Sequence, residues 1–76
     1  MKDFKTLVTE YLKIKSEDIT DELTPADVPD WDSMNYLLFI SEVEKVFGIQ
    51  FTVDEVMEAK TLKDIKGYMR KKGVAL

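Results

Sequence analysis

Between Ser33 and Phe47 the sequence contains neither proline nor glycine, and its apolar residues recur at helical spacing. Tyr36, Phe39, Ile40, Val43, Val46 and Phe47 fall on one broad face when successive residues turn by about 100°. Asp32 or Ser33 can cap the start of this helix, and Gly48 offers the left-handed conformation that ends one. A helix apolar over so wide a face needs other helices to cover it. A chain of 76 residues has room for one domain, residues 1–76, and one core. A domain of that size buries only about 60% of the surface its unfolded chain exposes, so modest stability is expected.

Two further helical patterns supply the cover. Phe4, Leu7, Val8, Tyr11 and Leu12 recur at i, i+3, i+4, i+7 and i+8, which predicts a first helix over residues 3–13. Near the end, Thr61 with Asp64 opens a last helix that presents Leu62, Ile65, Tyr68 and Met69 inward. Thr52 with Glu55 is a clearer capping box and predicts a short helix to about Glu58. Between the first and second helices, residues 16–32 lose periodicity and carry turn chemistry at Thr20, Asp21, Thr24, Pro25, Pro29 and Asp30. Unsupported loops of this length are uncommon in compact domains, so Ile19, Leu23, Val28 and Trp31 are expected to pin it to the core. Thr24 followed by Pro25 can start one helical turn there. No strand alternation is present, and the fold class is all-α: three main helices, one short helix and a long first loop.

Composition removes several kinds of chemistry. Without cysteine there is neither a disulfide framework nor a thiolate zinc site, and without histidine the commonest metal ligand and neutral-pH base is missing. No catalytic residue and no metal ligand is assigned. The longest apolar run, residues 36–40, falls far short of the roughly 20 that span a bilayer. The start of the sequence lacks an apolar signal region, so a cytoplasmic chain without stable membrane insertion is expected. The net charge of −4 is unevenly spread: residues 16–44 hold nine acids and no base. Such a middle disfavours nucleic acid and favours steering toward basic protein surfaces. Lys66, Arg70, Lys71 and Lys72 gather instead at the end of the last helix, where they complement its dipole.

Asp30-Trp31-Asp32-Ser33-Met34 places a hydroxyl at a helix N-terminus directly after the long loop. On capping preference alone, Ser33 is only a cap. Asp32-Ser33-Met34 at this junction, however, resembles the Asp-Ser-Leu motif of the acyl and peptidyl carrier proteins. Phe47, Gly48, Ile49 and Phe51 are similar to the pattern that follows that family's second helix, and the order of elements matches over nearly the whole chain. The resemblance implies a four-helix acyl-carrier-like bundle. It also implies that Ser33 carries a covalent 4'-phosphopantetheine, moved from coenzyme A by a phosphopantetheinyl transferase, and that acyl groups ride on that arm as thioesters. The working thiol then comes from the prosthetic group, and the chain is a carrier rather than an enzyme. Asp32, by the same resemblance, helps hold the transferase's Mg²⁺ during modification. A helix N-terminus, with its unpaired N–H groups and positive dipole end, independently suits the arm's phosphodiester.

Met34, Leu37 and Leu38 fall on a different sector of the second helix from the core face, near Ser41 and Lys45 and beside Ser33. Exposed apolar clusters mark protein contacts, so these three, with Ser41 and Glu44, are the expected docking patch. Asn35 and Leu38 stand where carriers of fatty-acid synthesis typically have acids. That departure points to a specialised carrier with more hydrophobic docking, serving an acyl-loading ligase or synthase and acyl-accepting enzymes of fatty acid, lipid or polyketide-type synthesis. A peptidyl or D-alanyl carrier loaded by an adenylating ligase is the alternative within the family. A calcium loop starting at Asp30 fails on spacing, with Asn35 at position 6 and Ser41 at position 12. An unmodified helical adaptor would share the acidic loop and the patch, and a serine hydrolase lacks a base. A monomer is expected.

Overall fold

The computed structural model describes residues 3–76. Its helices are α1 (Phe4–Leu12), α2 (Ser33–Phe47), α3 (Val53–Glu58) and α4 (Leu62–Lys71), with no strand among the described residues. The all-α, four-helix arrangement expected from the sequence is the one observed.

Each helix begins where its sequence supplies an acceptor for the first free N–H groups. Asp3 accepts from the Thr6 N–H at 2.8 Å and starts α1. Both capping boxes are complete. In α3, Glu55 accepts from the Thr52 N–H at 2.9 Å, whereas the shorter Asp64 reaches the Thr61 N–H of α4 only at 3.3 Å. The ends are equally defined. Gly48 (φ 66°) closes α2, and Gly73 (φ 95°) closes α4 with Val74 donating back to the Met69 carbonyl. At the end of α1 this left-handed position falls to Lys13 (φ 57°).

The core is built on α1 against α2. Leu7, Val8 and Leu12 meet Phe39, Ile40 and Val43, the Phe4 and Phe39 rings touch edge to face at 5.6 Å, and Leu62, Ile65 and Met69 of α4 close the third side. Tyr36, Val46, Phe47 and Tyr68, all read as inward, are only half-buried at the margins. Ile14 is buried too, just past the stripe that ended at Leu12.

The long loop is held as anticipated: Val28 and Trp31 are buried, and Ile19 and Leu23 pack against the core. It is also tied to α4 by its backbone. The Leu62 and Lys63 N–H groups, too early in α4 for helical partners, donate to the carbonyls of Leu23 and Asp21, and Lys66 pairs with the Asp21 carboxylate at 2.8 Å. Thr24 and Pro25 do not begin a helix. They form successive turns in which the Asp27 carboxylate folds back onto the Thr24 N–H and hydroxyl. Pro29 then disfavours helical backbone at Val28, so the turn cannot propagate. The one helical turn in the loop is a 3-10 turn at Ser16–Asp18.

Candidate functional site

The loop delivers the chain to α2 through Trp31, whose side chain is only 6% exposed, and whose ring leans on Tyr36 with centroids 6.0 Å apart. Asp32 is the cap of α2. Its Oδ1 accepts from the Asn35 N–H at 2.8 Å, and its carbonyl accepts from the Tyr36 N–H at 2.9 Å. Of the two capping candidates in the sequence, Asp32 does the work. Ser33 follows as the first helical residue, exposed, with no hydrogen bond from its hydroxyl among the described residues. Its hydroxyl is therefore available for chemistry at no expense to the helix.

Asn35 makes a second bond that the sequence did not announce. Its side-chain Nδ2 donates to the Asp30 carbonyl at 2.9 Å, back across the serine. The first turn of α2 carries no acidic side chain, whereas α3 has Asp54 and Glu55 there and α4 has Asp64.

The outward sector of α2 is as expected. Met34, Leu37 and Leu38 are exposed, Met34 at 73%, and Ser41 and Lys45 beside them are exposed as well. Glu44 is differently placed: it is half-buried, and its Oε2 accepts from the Phe51 N–H at 2.8 Å, tying α2 to the approach to α3. The sequence reading missed Val53 and Met57 of α3, each 77% exposed. Their i, i+4 spacing, with Val56 turned inward, was the available signal. Between the two helices runs an open groove of about 290 Å³, bounded by Leu37, Ile40 and Ser41 on one side and by Phe51, Val56 and Met57 on the other.

The short α3 has no fully buried residue, so polar ties hold it. The Tyr36 hydroxyl donates to the Val56 carbonyl at 2.8 Å, and burial pushes that phenol up to about 12. Glu55 pairs with Lys72 at 2.9 Å, and Lys72 also lies 5.8 Å from the centre of the Phe51 ring. Lys72 and Lys66 are thus paired with carboxylates, while Arg70 and Lys71 are exposed on α4, the Lys71 ammonium lying 5.9 Å from the centre of the Tyr68 ring. Asp27 and Asp32 are each engaged in separate turn and cap bonds, and among the described residues no three acids gather to hold a metal ion. No helix among them is long and apolar enough to cross a membrane.

The profile of a family described as "Phosphopantetheine attachment site" matches residues 2–69. The chain belongs to that family. An acyl carrier protein from Coprothermobacter proteolyticus is 27% identical to this carrier over 63 residues, which cover 83% of the chain and 77% of the relative. The start of α2 fits the family's prosthetic group: a free hydroxyl, a first turn without acidic side chains, and Ser33 and Met34 N–H groups that lie too early for intrahelical partners. When bound, 4'-phosphopantetheine supplies a thiol on a long flexible arm, which this cysteine-free carrier lacks.

Proposed function

We propose that the carrier bears its 4'-phosphopantetheine on Ser33 and presents acyl groups, held as thioesters, to partner enzymes of fatty acid, lipid or polyketide-type synthesis. The observation that carries this reading is the division of labour at the start of α2: Asp32 caps the helix, and the exposed Ser33 hydroxyl is left unbonded among the described residues. Attachment by a phosphopantetheinyl transferase exchanges a phosphoanhydride bond for a phosphodiester bond. An Oγ–P bond forms at Ser33, a P–O bond in the pyrophosphate of coenzyme A breaks, the adenosine-bearing bisphosphate leaves, and the serine proton passes to a base on the transferase. Asp32 would help hold the transferase's Mg²⁺ during modification, with its Oδ1 kept by the Asn35 N–H. The Ser33 and Met34 N–H groups and the positive end of α2 then stabilise the phosphodiester.

Partners dock on Met34, Leu37, Leu38 and Ser41, with Val53 and Met57 enlarging the patch across the groove. Glu44 contributes at its edge through the oxygen not used on Phe51. The carrier works as a monomer in the cytoplasm, loaded by a dedicated ligase or synthase. Because the patch is apolar, its docking is weakly dependent on salt. Binding of the modified protein to a fatty-acid ketosynthase at rising salt, with parallel loading by fatty-acid and amino-acid ligases, tests the reading. Acyl loading with weak or salt-insensitive ketosynthase binding is expected. Tight, steeply salt-dependent binding would contradict the specialised docking, and amino-acid loading alone would make the chain a peptidyl-type carrier.

A further inference from the structure

We infer that Asn35 is a positioning residue for the modification of Ser33. The inference rests on the reading of Ser33 as the attachment point and adds a residue that acts on it. Asn35 closes two bonds across the serine: its backbone N–H donates to the Asp32 carboxylate at 2.8 Å, and its side-chain Nδ2 donates to the Asp30 carbonyl at 2.9 Å. The segment between those anchors is fixed from inside as well, because Trp31 is buried and its N–H donates to the Val28 carbonyl at 3.1 Å. The Ser33 hydroxyl itself has no hydrogen bond among the described residues, so the clasp acts on the backbone that carries it.

The clasp requires an amide. A carboxylate at position 35 is isosteric but offers no donor to the Asp30 carbonyl, and it adds negative charge one helical turn from Asp32, where the phosphate is to be placed. Alanine removes the bond without adding charge. Neither change touches the core, since Asn35 lies outside the buried cluster. The amide therefore fixes the Ser33 backbone and keeps the first turn of α2 free of competing charge.

The test is the rate of phosphopantetheine transfer from coenzyme A by a broad-specificity transferase, followed by intact mass on wild type, Asn35→Ala and Asn35→Asp. Amide order at residues 30–33, measured by heteronuclear nuclear Overhauser effects, is read on the same unmodified proteins. Loss of one hydrogen bond predicts a roughly three- to tenfold lower kcat at saturating carrier for Asn35→Ala, and a larger loss for Asn35→Asp. The KM for coenzyme A is expected to stay unchanged, and amide order to fall at residues 30–33 but not in α1. A merely destabilised variant would instead raise the apparent KM for the carrier with kcat intact, and that result overturns the inference. So does modification of both variants within twofold of wild type, or amide order that is unchanged. If wild type itself stays unmodified while a control carrier is modified, the attachment reading falls and takes the inference with it.

Discussion

The starts of α3 and α4 differ from the start of α2 in how their polar side chains are used. In α3 and α4 the threonine and its acidic partner three residues on are bonded to each other's backbone, and Glu55 takes Lys72 besides. At α2 the cap is one-sided. Asp32 satisfies the Asn35 N–H, no acid reaches back, and the serine that follows keeps its hydroxyl free among the described residues. The first two junctions are closed for stability, and the third is left open at one atom. The Ser33 hydroxyl is dispensable to the cap, as the proposed attachment there requires.

Removing each cap measures that difference. Asp32→Ala is expected to have the largest effect, about 1 to 2 kcal/mol of global stability in urea unfolding, because it opens the longest helix. Thr52→Ala should cost about 1 kcal/mol, and α3, having no buried residue, should show faster amide hydrogen exchange than α1. If α3 instead exchanges with the core, it is not held by its cap and ties alone.

Acid should weaken the tie at the start of α3, among others. Lys72 and the Thr52 N–H hold the Glu55 carboxyl below its ordinary 4.5, and Lys66 holds Asp21 below 3.8. The Thr6 hydroxyl and N–H lower Asp3 as well. A carboxyl whose pKa is lower in the folded state contributes stability that is whole above the unfolded value and lost as pH falls through the folded one. Stability should therefore be level near neutrality and decline below about pH 4.5, more gently in Glu55→Gln than in wild type. Superimposable declines would break the link to Glu55. The smallest effect belongs to Ser33→Ala, less than about 0.5 kcal/mol, since Asp32 rather than Ser33 is the cap. A loss as large as that of Asp32→Ala would erase the contrast between the junctions.

What the sequence made legible follows from local rules. The stripe of α1, the broad face of α2, the glycine at its end and both capping boxes depend on residues within one or two turns of each other, and each stands where its spacing put it. The exposed sector of Met34, Leu37 and Leu38 was readable for the same reason. Less legible were features that join distant segments. The bonds from Leu62 and Lys63 to the carbonyls of Leu23 and Asp21 are backbone bonds and leave no side-chain signature. Glu44 looked like a surface acid because nothing in α2 reveals that the Phe51 N–H meets it. Asn35 was read as a missing acid, and only its approach to the Asp30 carbonyl gives the amide a task of its own.

The central claim is that the spare hydroxyl of Ser33 is the point of attachment. Peptide-level mass analysis of wild type and Ser33→Ala after incubation with coenzyme A and a transferase tests it most directly. One phosphopantetheine is expected on the wild-type peptide containing Ser33, with none anywhere on a Ser33→Ala protein that keeps its helical spectrum. Modification that persists in Ser33→Ala, or an unmodified wild type beside a modified control carrier, would contradict it.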